Sequence, residues 1–128
     1  MLTLSIVDET TSGKRQSAGD FRFDTETLTL RDLIRRRVQQ EVERYNDSDV
    51  AIFRGLIEPG ENERILNGVR ERPVLDAEKQ LAKAINAFQG NGFLVLVDDI
   101  QITELDQTLH LTTQSKVSFL KLVPLIGG

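Results

Sequence analysis

Lys116-Val117-Ser118-Phe119-Leu120-Lys121-Leu122-Val123-Pro124-Leu125-Ile126-Gly127-Gly128 is the stretch on which the reading of this chain turns. Lys116 to Val123 has the apolar and β-branched composition of a strand. Pro124 has no N–H to give to a ladder and closes that strand. Two aliphatic residues follow, and then a diglycine. Glycine brings no side chain to pack and loses more backbone freedom on ordering than any other residue, so Gly-Gly is a poor end for a domain that only has to fold. It suits a chain whose carboxylate must enter a narrow channel, where a Cβ on either residue would block the approach. The expectation is therefore that Gly128 carries the reactive group and Gly127 keeps its approach slim.

Working back from this strand, Phe93-Leu94-Val95-Leu96-Val97 is a continuous apolar run bounded by Gly90, Gly92 and Asp98-Asp99. Its length and β-branching predict an interior strand. Asp98-Asp99 predicts a turn, with Ile100-Gln101-Ile102 as a short partner. Thr103 to Leu111 reads as a connector pinned by Leu105, Leu109 and Leu111, and Gln114-Ser115 as a turn. At the other end, Leu2-Thr3-Leu4-Ser5-Ile6-Val7 alternates apolar and polar, the period of a strand with one buried face. Asp8 to Ala18 reads as a long hairpin connection, and Phe21 to Asp24 as the second strand.

Thr29-Leu30-Arg31-Asp32 is a capping box with Asp at its fourth position. Behind it Leu30, Leu33, Ile34, Val38, Val42 and Tyr45 recur at helical spacing, while Arg31, Arg35, Arg36, Arg37, Glu41, Glu43 and Arg44 are assigned to the solvent face. Asn46-Asp47-Ser48-Asp49 predicts the stop. A second helix is predicted from an N-cap at Asp76, with Ala77, Leu81, Ala84, Ile85 and Phe88 on one face and Gly90-Asn91-Gly92 as its end. Between the helices, Val50 to Phe53 reads as a short strand or buried loop, Pro59-Gly60 as a turn, and Glu61 to Arg72 as a solvated segment. The fold class is α+β, a mixed sheet with one long helix packed on it and an inserted segment, 46–91, that carries the second helix. The whole of 1–128 is read as a single domain with a flexible tail at 124–128.

Composition excludes several chemistries. The chain has 128 residues and no cysteine, which removes disulfides, zinc–thiolate sites and a cysteine nucleophile. A net charge of −4 argues against nonspecific nucleic-acid binding, and six Phe and one Tyr make base-stacking platforms scarce. No apolar run is long enough to span a membrane, and the start lacks the pattern of a signal peptide, so the expected location is cytoplasmic. One histidine and no cysteine leave no nucleophile, base and orienter to assemble, and the chain is read as a non-enzyme.

The order of these elements resembles the ubiquitin superfamily, whose fold is the β-grasp. The strand, turn and short strand at Leu94–Ile102, then Thr108-Leu109-His110-Leu111, then Lys116–Leu122 and Gly127-Gly128, follow that family's sequence of parts. Phe119 to Gly128 is also similar to bacterial sulfur carriers, the small subunit of molybdopterin synthase and the thiamine-pathway carrier. The resemblance covers roughly residues 1–45 and 92–128 and leaves 46–91 outside.

It implies that an activating enzyme adenylates the Gly128 carboxylate. The activated chain then passes to a target protein through a conjugating-type enzyme and is removed by a metal-dependent deconjugating protease, as in bacterial operons linked to phage defence. The alternative is a C-terminal thiocarboxylate that donates sulfur in molybdopterin or thiamine synthesis. A further alternative is a β-grasp binding module that is never conjugated. The resemblance implies no cofactor for the chain, ATP being used by the activating enzyme. It implies that Leu125 and Ile126 hold the tail in the partner's groove while Pro124 stiffens the exit; four extended residues past Pro124 reach roughly 13 Å.

Other candidates weigh less. Asp98-Asp99 reads as a turn before it reads as an acid pair or metal site. Asp47-Ser48-Asp49 lacks the remaining ligands of a calcium loop and reads as a helix stop. His110 reads as a partly exposed strand or loop residue. Arg35-Arg36-Arg37 wraps more than half a helical turn, which makes it a solvated face or, more sharply, a dock for an acidic surface.

Overall fold

Apolar alternation at the amino end builds the first hairpin. The computed structural model describes residues 1–47, 56 and 75–122. Strand β1 (Leu2–Thr10) buries Leu2, Leu4 and Ile6 and exposes Thr3 and Ser5. It pairs antiparallel with β2 (Arg15–Phe23), Leu2 facing Phe23 and Glu9 facing Arg15. The long connection expected over Asp8–Ala18 is instead a tight turn, closed by Thr10 N–H to the Lys14 carbonyl and Gly13 N–H to the Thr10 carbonyl, both 3.0 Å. Past Ile6 the hairpin leaves the core, so its side chains lose the two-residue period while the ladder continues. Pairing needs only backbone groups, which composition does not report. The register slips once, Ile6 facing Gly19 and Val7 facing Ser17, so Ala18 bulges out. Gly19 takes the φ of +107° that this bulge requires, and a Cβ there would meet Arg44 Nη1 at 3.1 Å.

A three-residue strand β3 (Thr27–Thr29) leads into helix α1 (Leu30–Asn46). The predicted capping box forms: Thr29 Oγ1 accepts from Asp32 N–H and Asp32 Oδ2 accepts from Thr29 N–H, each 3.1 Å. The second helix, here α2 (Ala77–Gln89), starts as expected on Asp76, whose Oδ1 accepts from Glu78 and Lys79 N–H, and stops at Gly90. At the base of the segment between the helices, the Asn46 amide pairs with both backbone groups of Leu75, donating to its carbonyl at 3.1 Å and accepting from its N–H at 2.9 Å. The expectations for Val50–Phe53, Pro59-Gly60 and Glu61–Arg72 lie outside the described residues.

The carboxyl-terminal half supplies β4 (Phe93–Val97), β5 (Ile100–Ile102), β6 (Thr108–His110) and β7 (Val117–Lys121). Asp98 and Asp99, at φ of 49° and 67°, make the predicted two-residue turn between β4 and β5. The stretch read as a connector contains β6, which pairs with β3 in a small second sheet; its buried Leu105, Leu109 and Leu111 pin it as expected. The main sheet is mixed, in the order β2-β1-β7-β4-β5, with β7 parallel to β1 and antiparallel to β4. The molecule is thus α+β, with two helices and a mixed five-stranded sheet among the described residues. Among the described residues a single core runs between sheet and helices, from Leu2, Leu4 and Ile6 through Leu30, Ile34 and Val38 to Phe93, Val95 and Phe119. A chain of rings crosses it: Phe88 to Phe93 at 5.7 Å and Phe93 to Phe119 at 5.6 Å between centroids.

Candidate functional site

The last strand sits where a mechanically secure exit for a tail would be built. In the middle of the main sheet, β7 is laddered on both sides, and Val117, Ser118 and Phe119 are buried. Leu122 carries the pairing one residue past the strand, its N–H donating to the Gly92 carbonyl at 2.9 Å. The residues singled out for activation and docking, Pro124, Leu125, Ile126, Gly127 and Gly128, lie outside the described residues.

Beneath the end of β7 lies a charged cluster that the sequence reading misassigned. Arg37, placed on the solvent face of α1, is fully buried, and Glu41 is 8% exposed. Arg37 donates to both carboxylate oxygens of Asp8, at 2.6 and 2.8 Å, and at 3.4 Å to both oxygens of Glu41. Its guanidinium lies 4.6 Å from the centre of the Phe119 ring. Lys121, the last residue of β7, approaches the same Asp8 at 3.7 Å. Glu41 also accepts the backbone N–H of Leu56 at 2.8 Å, and Leu56 is itself buried. One cluster thus ties β1, α1, the end of β7 and Leu56.

The signal for this was present. Arg37 and Glu41 fall three residues after Ile34 and Val38, inside the apolar stripe. Opposite charges four apart within a buried stripe mark an ion pair that faces inward. Asp8, the next inward position of β1 after Ile6, completes it where the apolar side chains run out. Arg35 and Arg36 do lie at the surface, but each is engaged: Arg35 with Asp32 at 3.4 Å, and Arg36 with the Arg22 carbonyl at 2.9 Å and Glu43 at 3.8 Å.

The electrostatics of the pair are unequal. Burial pulls the Arg37 guanidinium pKa down, but Glu41 and Asp8 outweigh it and the net direction is up. Burial pushes the Glu41 carboxyl up, and Arg37 and the Leu56 N–H offset only part of that. Both values rise, which favours the charged form of Arg37 and disfavours that of Glu41, because Arg37 spends its short bonds on Asp8 and leaves Glu41 the 3.4 Å contacts. With a raised folded value, Glu41 binds more protons folded than unfolded. Its contribution to stability is complete below the ordinary glutamate value of about 4.3 and falls as pH rises toward the raised value. Glu41→Gln keeps an acceptor for Leu56 N–H and removes the titration. Urea midpoints measured from weakly acidic to neutral pH are expected to decline with rising pH less steeply in the variant than in the parent.

The remaining candidates resolve into structure. The Asp98 carboxylate accepts the Lys116 N–H at 2.9 Å and Asp98 N–H donates to the Lys116 carbonyl at 2.8 Å, which ties the β4–β5 turn to the start of β7. Asp47 is the C-cap of α1. The exposed His110 ends β6, with Nδ1 3.4 Å from Thr27 Oγ1. No group of three His, Cys, Asp or Glu side chains among the described residues is placed to hold a metal ion, and no described helix is long and apolar enough to cross a membrane. A cleft of about 410 Å3 opens between β4, the end of α2 and the 103–106 chain. Comparison with family models, curated proteins and solved structures finds no match for this chain.

Proposed function

We propose that this chain is a ubiquitin-like protein modifier of the β-grasp fold, and not itself an enzyme. Its Gly128 carboxylate would be adenylated by an ATP-using activating enzyme and passed, through a conjugating-type enzyme, to an amine of a target protein. A deconjugating metalloprotease reverses the step, and a bacterial cytoplasmic pathway linked to phage defence is the setting that the resemblance suggests. The observation that carries this reading is the placement of β7. A strand order β2-β1-β7-β4-β5 with one long helix across the sheet is the arrangement expected of the β-grasp fold, and the run Val123-Pro124-Leu125-Ile126-Gly127-Gly128 follows directly on its central strand. Anchored on two ladders, β7 can bear the pull of a tail threaded into another protein without the fold opening.

The reading requires Gly128 to carry a free carboxylate, by synthesis or by processing. The step is a condensation: the carboxylate attacks the α-phosphorus of ATP and expels pyrophosphate, and a thiolate or amine then displaces AMP from the acyl carbon. Lys121 is the last basic residue of the sequence, so trypsin leaves Leu-Val-Pro-Leu-Ile-Gly-Gly on any modified lysine. Incubating the full chain with ATP and lysate of its native host, followed by tryptic mass spectrometry, is expected to show lysines bearing that seven-residue remnant only when ATP is present. A terminal carboxylate whose mass shifts by one oxygen-to-sulfur exchange, with no remnant on lysine, would establish the sulfur-carrier alternative instead. Neither product, with partner binding intact, would leave the non-conjugated binding module.

A further inference from the structure

At one rim of the main sheet β1 ends, β2 begins and β7 ends. Thr10, the last residue of β1, is paired with Lys121, the last of β7. On its other side the Thr10 N–H donates to the Lys14 carbonyl at 3.0 Å. Neighbouring strands lie about 4.8 Å apart, so the Lys14 backbone is about 10 Å from the point where β7 gives way to the tail. The residues after Leu122, Val123 to Gly128, reach roughly 20 Å when extended. The Gly128 carboxylate therefore has more than the length it needs to return to Lys14.

The turn holds Lys14 clear of the fold. Gly13 beside it takes a φ of +89°, and a Cβ there would meet nothing within 4 Å, so the tip stands in open solvent. Lys14 is exposed. Glu9, the last carboxylate of β1, is bonded to Arg15 at 3.2 Å, and the Lys14 amine has no bonding partner among the described residues. The other amines are worse placed. Lys121 approaches Asp8 at 3.7 Å, and Lys83 is already engaged. Lys116 precedes the far end of β7, about 17 Å along that strand. Lys79 stands in the first turn of α2, about 15 Å of helix before the link through Gly92 to this rim. The Met1 amine is at the opposite end of β1, about 30 Å away.

We propose that Lys14 is an internal acceptor of the activated tail: its amine attacks the acyl carbon of Gly128 in the same chain and closes an isopeptide ring. The inference rests on the modifier reading for the activated species, an acyl-adenylate or the thioester made from it. The uncharged amine adds to the acyl carbon, AMP or the thiol leaves, and the amine's proton goes to water, so one amide bond replaces one acyl–phosphate or thioester bond. Attachment to one fold holds the amine at an effective concentration of about 1 mM, as a short flexible linker does. A closed chain has no free carboxylate at Gly128. Ring closure thus discharges an activated chain that meets no target, and withdraws it until a hydrolase cuts the isopeptide bond.

The test uses the full chain with Gly128 prepared as an alkyl thioester, which stands in for the activated state and needs no partner enzyme. At mildly alkaline pH the chain is expected to lose the thiol and become one water lighter than its free acid. Trypsin should then release Met1–Arg15 and Leu122–Gly128 as one pair joined at Lys14. At about 10 μM protein the ring should exceed linked dimer by on the order of 100-fold, the ratio of effective to actual concentration. Lys14→Arg should form about tenfold less ring, since no other amine is as well placed. In urea the product should shift to Lys116 and Lys121, the lysines nearest the tail in sequence. Joining mainly at another amine of the folded chain, dimers in excess of rings, an undiminished ring from Lys14→Arg, a Lys14 preference that survives urea, or hydrolysis with no ring would each overturn the proposal. The two readings fail separately. ATP-dependent remnants in lysate without a ring here would sink only the internal acceptor, and a ring here without those remnants would sink the modifier reading.

Discussion

Arg37→Met is expected to lower the stability of the fold by about 3 kcal/mol, which for a domain of this size moves Tm by on the order of 10 °C. The argument starts from the environment of the side chain. Arg37 is wholly inside, with two short bonds to Asp8, two longer ones to Glu41 and the Phe119 ring beside it. A methionine fills similar space, so little cavity cost arises and the electrostatic loss is isolated. What remains is a pair of carboxylates, one buried and one about four-fifths buried, that have lost their cation. Leaving a buried charge unpaired costs more than the intact pair ever contributed, because desolvation is no longer offset.

The expected value stands at the lower end of the usual range because Asp8 keeps 19% of its side-chain surface in solvent and Lys121 lies 3.7 Å away. Arg37→Lys keeps the charge and loses the two-pronged geometry and the stacking, so it should fall between parent and Met. Combining Arg37→Met with Asp8→Asn should cost less than the two single changes added together, since the second removes the charge the first has stranded. Chemical denaturation of the parent, the three single variants and the double variant checks this. Arg37→Met within 1 kcal/mol of the parent would show that the cluster is a solvated pair after all.

Removing Gly127 and Gly128 is expected to abolish ATP-dependent adducts while leaving the thermal midpoint of the domain in place. Glycines contribute no side-chain packing, so their loss takes nothing from the core. What they contribute under the proposed function is reach and slimness. Gly127→Val shows the second of these separately: the carboxylate is still present, but a branched Cβ stands beside it in the activating channel. Misplacing a reacting atom by about 1 Å costs on the order of 100-fold, and Gly127→Val is expected to lose at least that in adduct formation. Adducts that persist on the truncated chain would sink the modifier reading, because no other carboxyl group of the chain is argued to be activated. Conversely, if truncation also lowered the midpoint by several degrees, the diglycine would have a packing role that the modifier reading does not supply.

The parts of this fold legible in sequence were those in which a local rule and the tertiary structure agree. The Thr29–Asp32 box, the Asp76 cap and the Asp98-Asp99 turn are each satisfied within four residues, so composition reported them directly. The interior position of β4 showed in its unbroken apolar run, although in the fold Phe93 and Val95 are buried while Leu94 and Leu96, on the other face, are half-buried. The β1–β2 turn was misjudged because the ladder beyond Ile6 continues through mostly polar side chains, which carry no apolar period to report it. Strands β3 and β6 were illegible as a pair because three residues carry no period and their partners stand about eighty positions apart. Of the candidate site, the Val-Pro-Leu-Ile-Gly-Gly motif and the strand before it could be read; of the cluster beneath that strand, the sequence carried only the Arg37–Glu41 spacing within the apolar stripe, and its partner Asp8 was set by the fold.

By itself, then, the sequence determined the α+β class, the two capped helices, the apolar strands and the diglycine that motivates a delivered carboxylate. Only the tertiary structure decided that β7 lies between β1 and β4, that Arg37 and Glu41 turn inward to meet Asp8, and that β5 stops short of Phe93. Each of these depends on which distant groups compete for the same partner. Asp8, some thirty residues from Arg37, gives it a reason to be buried. The open N–H groups of α1, some seventy residues from the 105–107 carbonyls, draw that chain away from the sheet. Local propensity carries no record of such contests, because their outcome is set by proximity in space.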